Sequence, residues 1–254
     1  MKLTDEKQTW QRERALRTQG SLREWGVSVC VLLPLCYGLA WTAQPVAHAY
    51  WAGVLSHAVA WIDDGLHLEV IDYPSRWGHV MLLSANVAAR EPSVAALALT
   101  AVACVAGIWA SYYRKDRWLP LAYVLRVACV TQLAICAYFW LAPGSFPYTP
   151  RLHLRDLFVM LIGAMVSTPA VMALFYYPLD FSLAQKALAT CLTLAYLALA
   201  APFVMLLHII VIHHGSLLFM PFCYFVLGVP LIVGLLVTVY AYCASWRGAL
   251  SSPS

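Results

Sequence analysis

Residues 93–113 read Ser93-Val-Ala-Ala-Leu-Ala-Leu-Thr-Ala-Val-Ala-Cys-Val-Ala-Gly-Ile-Trp-Ala-Ser-Tyr-Tyr113, twenty-one positions without one Asp, Glu, Lys or Arg. As an α-helix this stretch is about 31 Å long, the thickness of a bilayer's hydrocarbon layer. A helix on the surface of a soluble domain keeps a polar face, and this one has none. The charged cluster Arg114-Lys-Asp-Arg117 follows at once. An apolar run of span length stopped by basic residues reads as a transmembrane helix ending at an aqueous boundary.

Outward from that segment the pattern recurs. The runs Trp25–Ile62, Leu157–Leu179 and Ala187–Trp246 are also of span length or longer, in a chain of 254 residues that is 62% hydrophobic and only 11% charged. So much apolar surface needs lipid as its solvent. The expected fold is an all-α membrane protein of about six transmembrane helices. A short extracytoplasmic interfacial helix and a β-hairpin lie between helices 1 and 2.

The chain divides accordingly. Residues 1–24 form a basic cytoplasmic arm with Lys2, Lys7, Arg12, Arg14, Arg17 and Arg23. Residues 25–45 form the first transmembrane helix, with Trp25 and Trp41 as interfacial anchors and Pro34 inside, read as a retained anchor rather than a cleaved signal. Residues 46–92 lie outside: an aromatic, apolar helix up to Asp63-Asp64-Gly65, then two β-prone runs around Pro74-Ser-Arg-Trp-Gly78, which is turn chemistry. Residues 93–246 hold the other five spans, placed at Ser93–Tyr113, Trp118–Ala142, Leu157–Tyr177, Leu183–Ile212 and Leu217–Trp246, and 247–254 are a cytoplasmic tail.

Orientation follows the Lys/Arg asymmetry of the connections. With the N-terminus inside, eleven Lys/Arg fall in inner segments and four (Arg76, Arg90, Arg151, Arg155) in outer ones, leaving Arg126 within a span. Both termini are then cytoplasmic, and the expected location is a bacterial inner membrane. The net charge of +4 comes largely from the arm and the 114–117 cluster. It reflects topology, and nucleic acid is not an expected partner. The expected partners are the lipid bilayer and other membrane proteins.

The stripe Ala96, Thr100, Ala103 and Gly107 puts small residues on one helical face, where another helix can approach closely. All eight cysteines fall inside expected spans and read as compact packing residues rather than a disulfide or zinc framework. Asp180 sits in a Pro-containing inner turn.

Few residues can carry chemistry. Arg126 lies nine positions beyond Arg117, roughly 13 Å of helix rise, deep enough to need a partner or a wet cavity unless it snorkels. In Arg151-Leu-His-Leu-Arg-Asp156 the imidazole of His153 stands among opposite charges, suited to anion binding or acid–base work, or simply to an ion-paired loop. His208, His213 and His214 crowd the outer end of span five. Their spacing does not place two imidazoles on one helical face as an i, i+4 metal site requires. They complete an outer polar cluster with Arg151, Arg155, Asp156 and His153 if spans four and five pack together. No metal or cofactor is expected. Phosphate-binding loops, nucleophile elbows and Cys-x-x-Cys pairs are missing from the sequence.

The order of elements over about Leu66–Val166 is an outward β-prone segment, a span, a basic inner turn, a returning span with an Arg, and an outer loop with a His opening the next span. It resembles the exosortase/archaeosortase family, membrane proteins that process C-terminal sorting signals. The resemblance implies that Arg126 and His153 would be the catalytic Arg and His. The family's nucleophilic Cys would fall near Arg90-Glu-Pro-Ser93, where there is none, and Cys104 lies too deep in the span. Without a thiolate the covalent step lacks its nucleophile. A Ser93 nucleophile has no base. The resemblance therefore implies an accessory relative that keeps the scaffold without the chemistry.

Three functions follow from these readings. The first is a non-catalytic inner-membrane subunit of an envelope protein-sorting, export or assembly system. The alternatives are an exosortase-like peptidase or transpeptidase using Arg126 and His153, and a small transporter lined by Arg126 and the histidines.

Overall fold

The computed structural model describes residues 22–75, 78–113, 118–176 and 181–245. The basic arm up to residue 21, the tip of the hairpin turn with Arg76, the 114–117 cluster, Asp180 and the C-terminal tail lie outside the described residues. The elements are α1 (Leu22–Ile62), β1 (Leu68–Ser75), β2 (Gly78–Ala85), α2 (Val94–Tyr112), α3 (Leu119–Leu141), α4 (Pro150–Phe175) and α5 (Leu183–Gly215), followed by a composite helix. That last helix opens as a 3₁₀ turn at Leu217–Phe219 and an α-turn at Met220–Phe222. It widens into a π-helix over Cys223–Gly228 and continues as α6 (Val229–Ala244). Among the described residues six helices are long and apolar enough to cross a membrane, and the two strands pair as an antiparallel hairpin.

Two boundaries differ from the sequence reading. The first transmembrane helix at 25–45 and the interfacial helix after it are one continuous helix of 41 residues, about 62 Å long and roughly twice the hydrocarbon thickness. Pro45 removes one backbone N–H and does not end the helix. Beyond it, Trp51, Leu55 and Val59 are buried at successive i, i+4 positions, and that packed face holds the helix together past the proline. The second difference is α4, which starts at Pro150 rather than Leu157. Thr149 Oγ1 accepts a hydrogen bond from the Leu152 backbone N–H at 3.3 Å. Proline is preset for the first helical position, so the two together start the helix early. Arg151, His153, Arg155 and Asp156 therefore stand on its first turns and not in a loop.

The chain folds as two compact units. In the first (1–49, 161–200 and 232–254), Leu32, Cys36, Met172, Ala173, Tyr176, Phe181, Ala189 and Cys243 form the core. In this core the buried Tyr176 hydroxyl bonds Thr190 Oγ1 at 3.0 Å, and at its exposed edge the Tyr37 hydroxyl donates to the Val166 carbonyl at 2.9 Å.

The second unit (50–160 and 201–231) holds the hairpin of strands and the α2–α3 hairpin of helices. Along α2 the buried residues are Leu97, Cys104 and Ser111, and along α3 they include Ala122, Cys129 and Cys136. Both sets repeat every seven residues, the spacing of helices packed side by side. Of the expected small-residue face, Gly107 meets α3: a Cβ on it would lie 3.1 Å from Cys129 Sγ. Ala96 and Thr100 are half-buried and Ala103 is exposed, so the contact face is rotated from the expected stripe by roughly a fifth of a turn. Gly107→Leu is expected to force these helices apart and cost about 1–3 kcal/mol, whereas Ala103→Leu should cost little. Paired thermal melts of the two variants check this.

Candidate functional site at the helix tips of the second unit

In the second unit the end of α1, the strand hairpin, the start of α4 and the end of α5 meet. Arg151 Nε lies 3.1 Å from Glu69 Oε2 on β1, as an ionic contact rather than an aligned hydrogen bond. His213 Nε2 lies 3.4 Å from Asp63 Oδ2, just past α1. The Leu217 backbone N–H donates to the Arg90 carbonyl at 3.0 Å, and Gln132 Nε2 on α3 donates to the Leu218 carbonyl at 2.9 Å. Asp63 Oδ1 in turn accepts from the Gly65 N–H at 2.8 Å, closing the turn that ends α1. His214 is exposed and its ring meets that of His213 edge to face.

Deeper in the same region His153 and His208 form a buried pair. His153 Nε2 and His208 Nδ1 are 3.0 Å apart, and the rings stack with centroids 5.2 Å apart. Both side chains are at most 1% exposed. One nitrogen of the two must donate and the other accept. The sequence reading groups both histidines in an outer polar cluster on the condition that spans four and five pack together, and does not give this direct pair. Their pairing depends on α4 starting at Pro150, which turns position 153 into a helical residue facing α5.

Around His153 stand Tyr148 and Tyr224, each with its ring roughly edge-on to the imidazole. Tyr148 donates its hydroxyl to Asp156 Oδ2, and Asp156 Oδ1 accepts from Arg155 Nε at 3.0 Å and Nη2 at 2.8 Å. Burial, then the bond to Asp156 and its charge, push the Tyr148 phenol above its ordinary range, so it remains a donor. Tyr148, His153, Met220, Pro221, Tyr224 and Phe225 line a cavity of about 220 Å³.

The π-helix shapes this place. Its widened turn, a feature that recurs at functional sites, carries Tyr224 and Phe225 to the cavity. It also brings Gly228 so close to α4 and α5 that a Cβ there would sit 3.2 Å from Met160 Cε and 3.8 Å from His208 Cε1. The sequence carries no signal for a π-turn. At the entrance to this helix Ser216 has φ +98° and ψ 174°, a conformation almost confined to glycine, while its Oγ accepts from the Leu218 N–H. Ser216→Ala loses that cap and keeps the strain, so a loss of about 1 kcal/mol is expected. Ser216→Gly relieves the strain and should be at least as stable as the parent. Thermal melting of both variants separates cap from strain.

Arg126 is elsewhere. Its Nε donates to Ser111 Oγ at 2.7 Å and its Nη2 to the Ser111 carbonyl at 3.2 Å, and its guanidinium lies 4.1 Å from the Tyr112 ring centre and 5.3 Å from that of Tyr123. It clamps the end of α2 to the first half of α3. The other end of α3, Leu141, is fifteen residues away, roughly 22 Å of rise, and His153 lies beyond it in the chain. Arg126 is not among the residues that line the cavity beside His153.

Among the described residues no group of three His, Cys, Asp or Glu side chains is arranged to hold a metal ion. No family model matches this chain, and neither does any curated protein or solved structure.

Proposed function

We propose that this is a multi-pass inner-membrane protein with cytoplasmic termini. On this reading it is a non-catalytic accessory subunit of an envelope protein-sorting, export or assembly system. One observation carries the proposal: three polar contacts tie the tips to one another. Arg151 with Glu69, His213 with Asp63 and Gln132 with Leu218 fasten the strand hairpin and the helix ends into a braced platform. Such bracing suits a surface that another protein docks on.

The transpeptidase alternative needs a nucleophile beside His153, and the residues lining its cavity contribute neither a thiol nor an aliphatic hydroxyl. Tagged protein, crosslinked in native membranes and extracted in mild detergent, is expected to migrate as a larger complex. It should co-isolate envelope-processing or export components, identified by mass spectrometry. Migration as a lone monomer, with envelope proteins unchanged on deletion, would overturn the proposal.

A further inference from the structure

The cavity beside the histidine pair has features that a docking platform does not require. At about 220 Å³ it is smaller than the roughly 300–1,000 Å³ of sites for drug-sized ligands. It would hold about seven waters at roughly 30 Å³ each, or one substituted six-membered ring. Its walls are aromatic and aliphatic apart from the Tyr148 and Tyr224 hydroxyls and one imidazole, that of His153. The nearby charges are occupied: Asp156 and Arg155 hold each other, and Tyr148 points its hydroxyl at Asp156. A charged ligand finds no counter-ion on these walls, while a neutral ring finds edge and face contacts on every side. Phe225, one of its lining residues, is 59% exposed on a helix long and apolar enough to cross a membrane, which suits a ligand that arrives from lipid.

The hydrogen-bond chain behind His153 decides what that ring must offer. His208 Nε2 is buried without a partner in good geometry, and the backbone group that bears on this ring is the Leu227 carbonyl of the π-helix. A nitrogen beside a carbonyl is favoured as N–H, because two lone pairs repel. With both rings neutral, a proton on His208 Nε2 makes its Nδ1 the acceptor and His153 Nε2 the donor across the 3.0 Å bond. His153 Nδ1 is then a bare lone pair, and it makes no hydrogen bond among the described residues.

We propose that this cavity is a binding site for a neutral, lipid-soluble ring bearing a hydroxyl, a phenol or the headgroup of a hydroquinone, which donates its O–H to His153 Nδ1. The ring lies between Tyr148, Tyr224 and Phe225, and the π-helix serves the site twice: it supplies two of those aromatics and the carbonyl that orients the histidine pair. The site does not depend on the accessory-subunit reading, since every group in it belongs to this chain.

The test uses full-length protein in lipid nanodiscs and two matched probes, 4-propylphenol and its methyl ether, with saturable binding followed by saturation-transfer NMR. The phenol is expected to bind at least about tenfold more tightly than the ether, the worth of one hydrogen bond from a buried partner. His153→Phe should remove that preference, and Tyr224→Leu should weaken both probes while keeping it. N-acetyltyrosinamide should bind more weakly than 4-propylphenol. Equal binding of phenol and ether to the parent protein would overturn the proposal, as would an unchanged preference in folded His153→Phe. If His153→Phe does not fold, the phenol-to-ether ratio in the parent protein decides alone. Tighter binding of N-acetyltyrosinamide would refute a lipid-borne ligand.

Discussion

His208→Ala is expected to lower the stability of the purified protein by about 2–4 kcal/mol, the largest effect of any single truncation at the tips. Two costs add. A fully buried aromatic ring is removed from between α4 and the π-helix, leaving a cavity. In addition His153 Nε2 loses the partner it holds at 3.0 Å and is left as a buried polar atom with nothing to bond. The two costs can be separated. His153→Phe and His208→Phe each orphan one nitrogen while keeping the ring volume, whereas the double variant orphans neither. The double variant should be less destabilised than the sum of the singles by about 1 kcal/mol or more. Thermal unfolding in one detergent checks the cycle, and strict additivity would mean that the two rings are packed but not hydrogen-bonded.

Arg126→Ala is expected to cost about 2–3 kcal/mol, in the α2–α3 hairpin and not at the histidine pair. The guanidinium makes two hydrogen bonds to Ser111 and sits over two tyrosine rings. Bonds from a charged donor are worth about 1.5–3 kcal/mol and a cation over a ring about 0.5–2. Arg126→Lys keeps the charge but cannot reach both the Oγ and the carbonyl of one serine, so it should fall between parent and alanine. The readout that distinguishes a clamp from a catalytic or ligand-binding role is location. Phenol binding at the tips should be unchanged in folded Arg126→Ala. A parent-like melt in that variant would show that the arginine does not hold the hairpin.

Much of the architecture is legible in the sequence because it rests on one strong force. Length and absence of charge mark six helices, and turn residues such as Pro74 and Gly78 mark the strand hairpin that the structure pairs from Leu68↔Ala85 to Ser75↔Gly78. Boundaries are less legible because single residues set them. Pro45 looks like a break, but the packed face Trp51, Leu55 and Val59 outweighs one missing backbone bond. Thr149-Pro150 is a readable start signal, yet the charges of Arg151, Arg155 and Asp156 invite a loop assignment.

The helix-packing face shows a different difficulty. Ala, Gly and Thr are so frequent in α2 that several stripes of small residues can be drawn, and the choice among them depends on α3, where Cys129 meets Gly107. At the candidate site each histidine and the flanking Arg155 and Asp156 are visible as residue types. The pairing of positions 55 apart and the π-turn behind them are not, because both arise from how α4, α5 and the last helix pack. Arg126 is the converse case: the sequence shows that it needs a partner, and the partner is the serine across the hairpin turn.

The end of α1, the strand hairpin and the tips of α3, α4 and α5 are expected together on one side of the membrane, with the start of α3 on the other. Single cysteines at Asp64, Ser145 and Trp118, in a background without native cysteine, report this directly when a membrane-impermeant maleimide is applied to intact cells. Positions 64 and 145 are expected to react together, and 118 only after the membrane is permeabilised. Reaction of 64 and 145 from opposite sides, or of 118 from the same side as both, would contradict this topology.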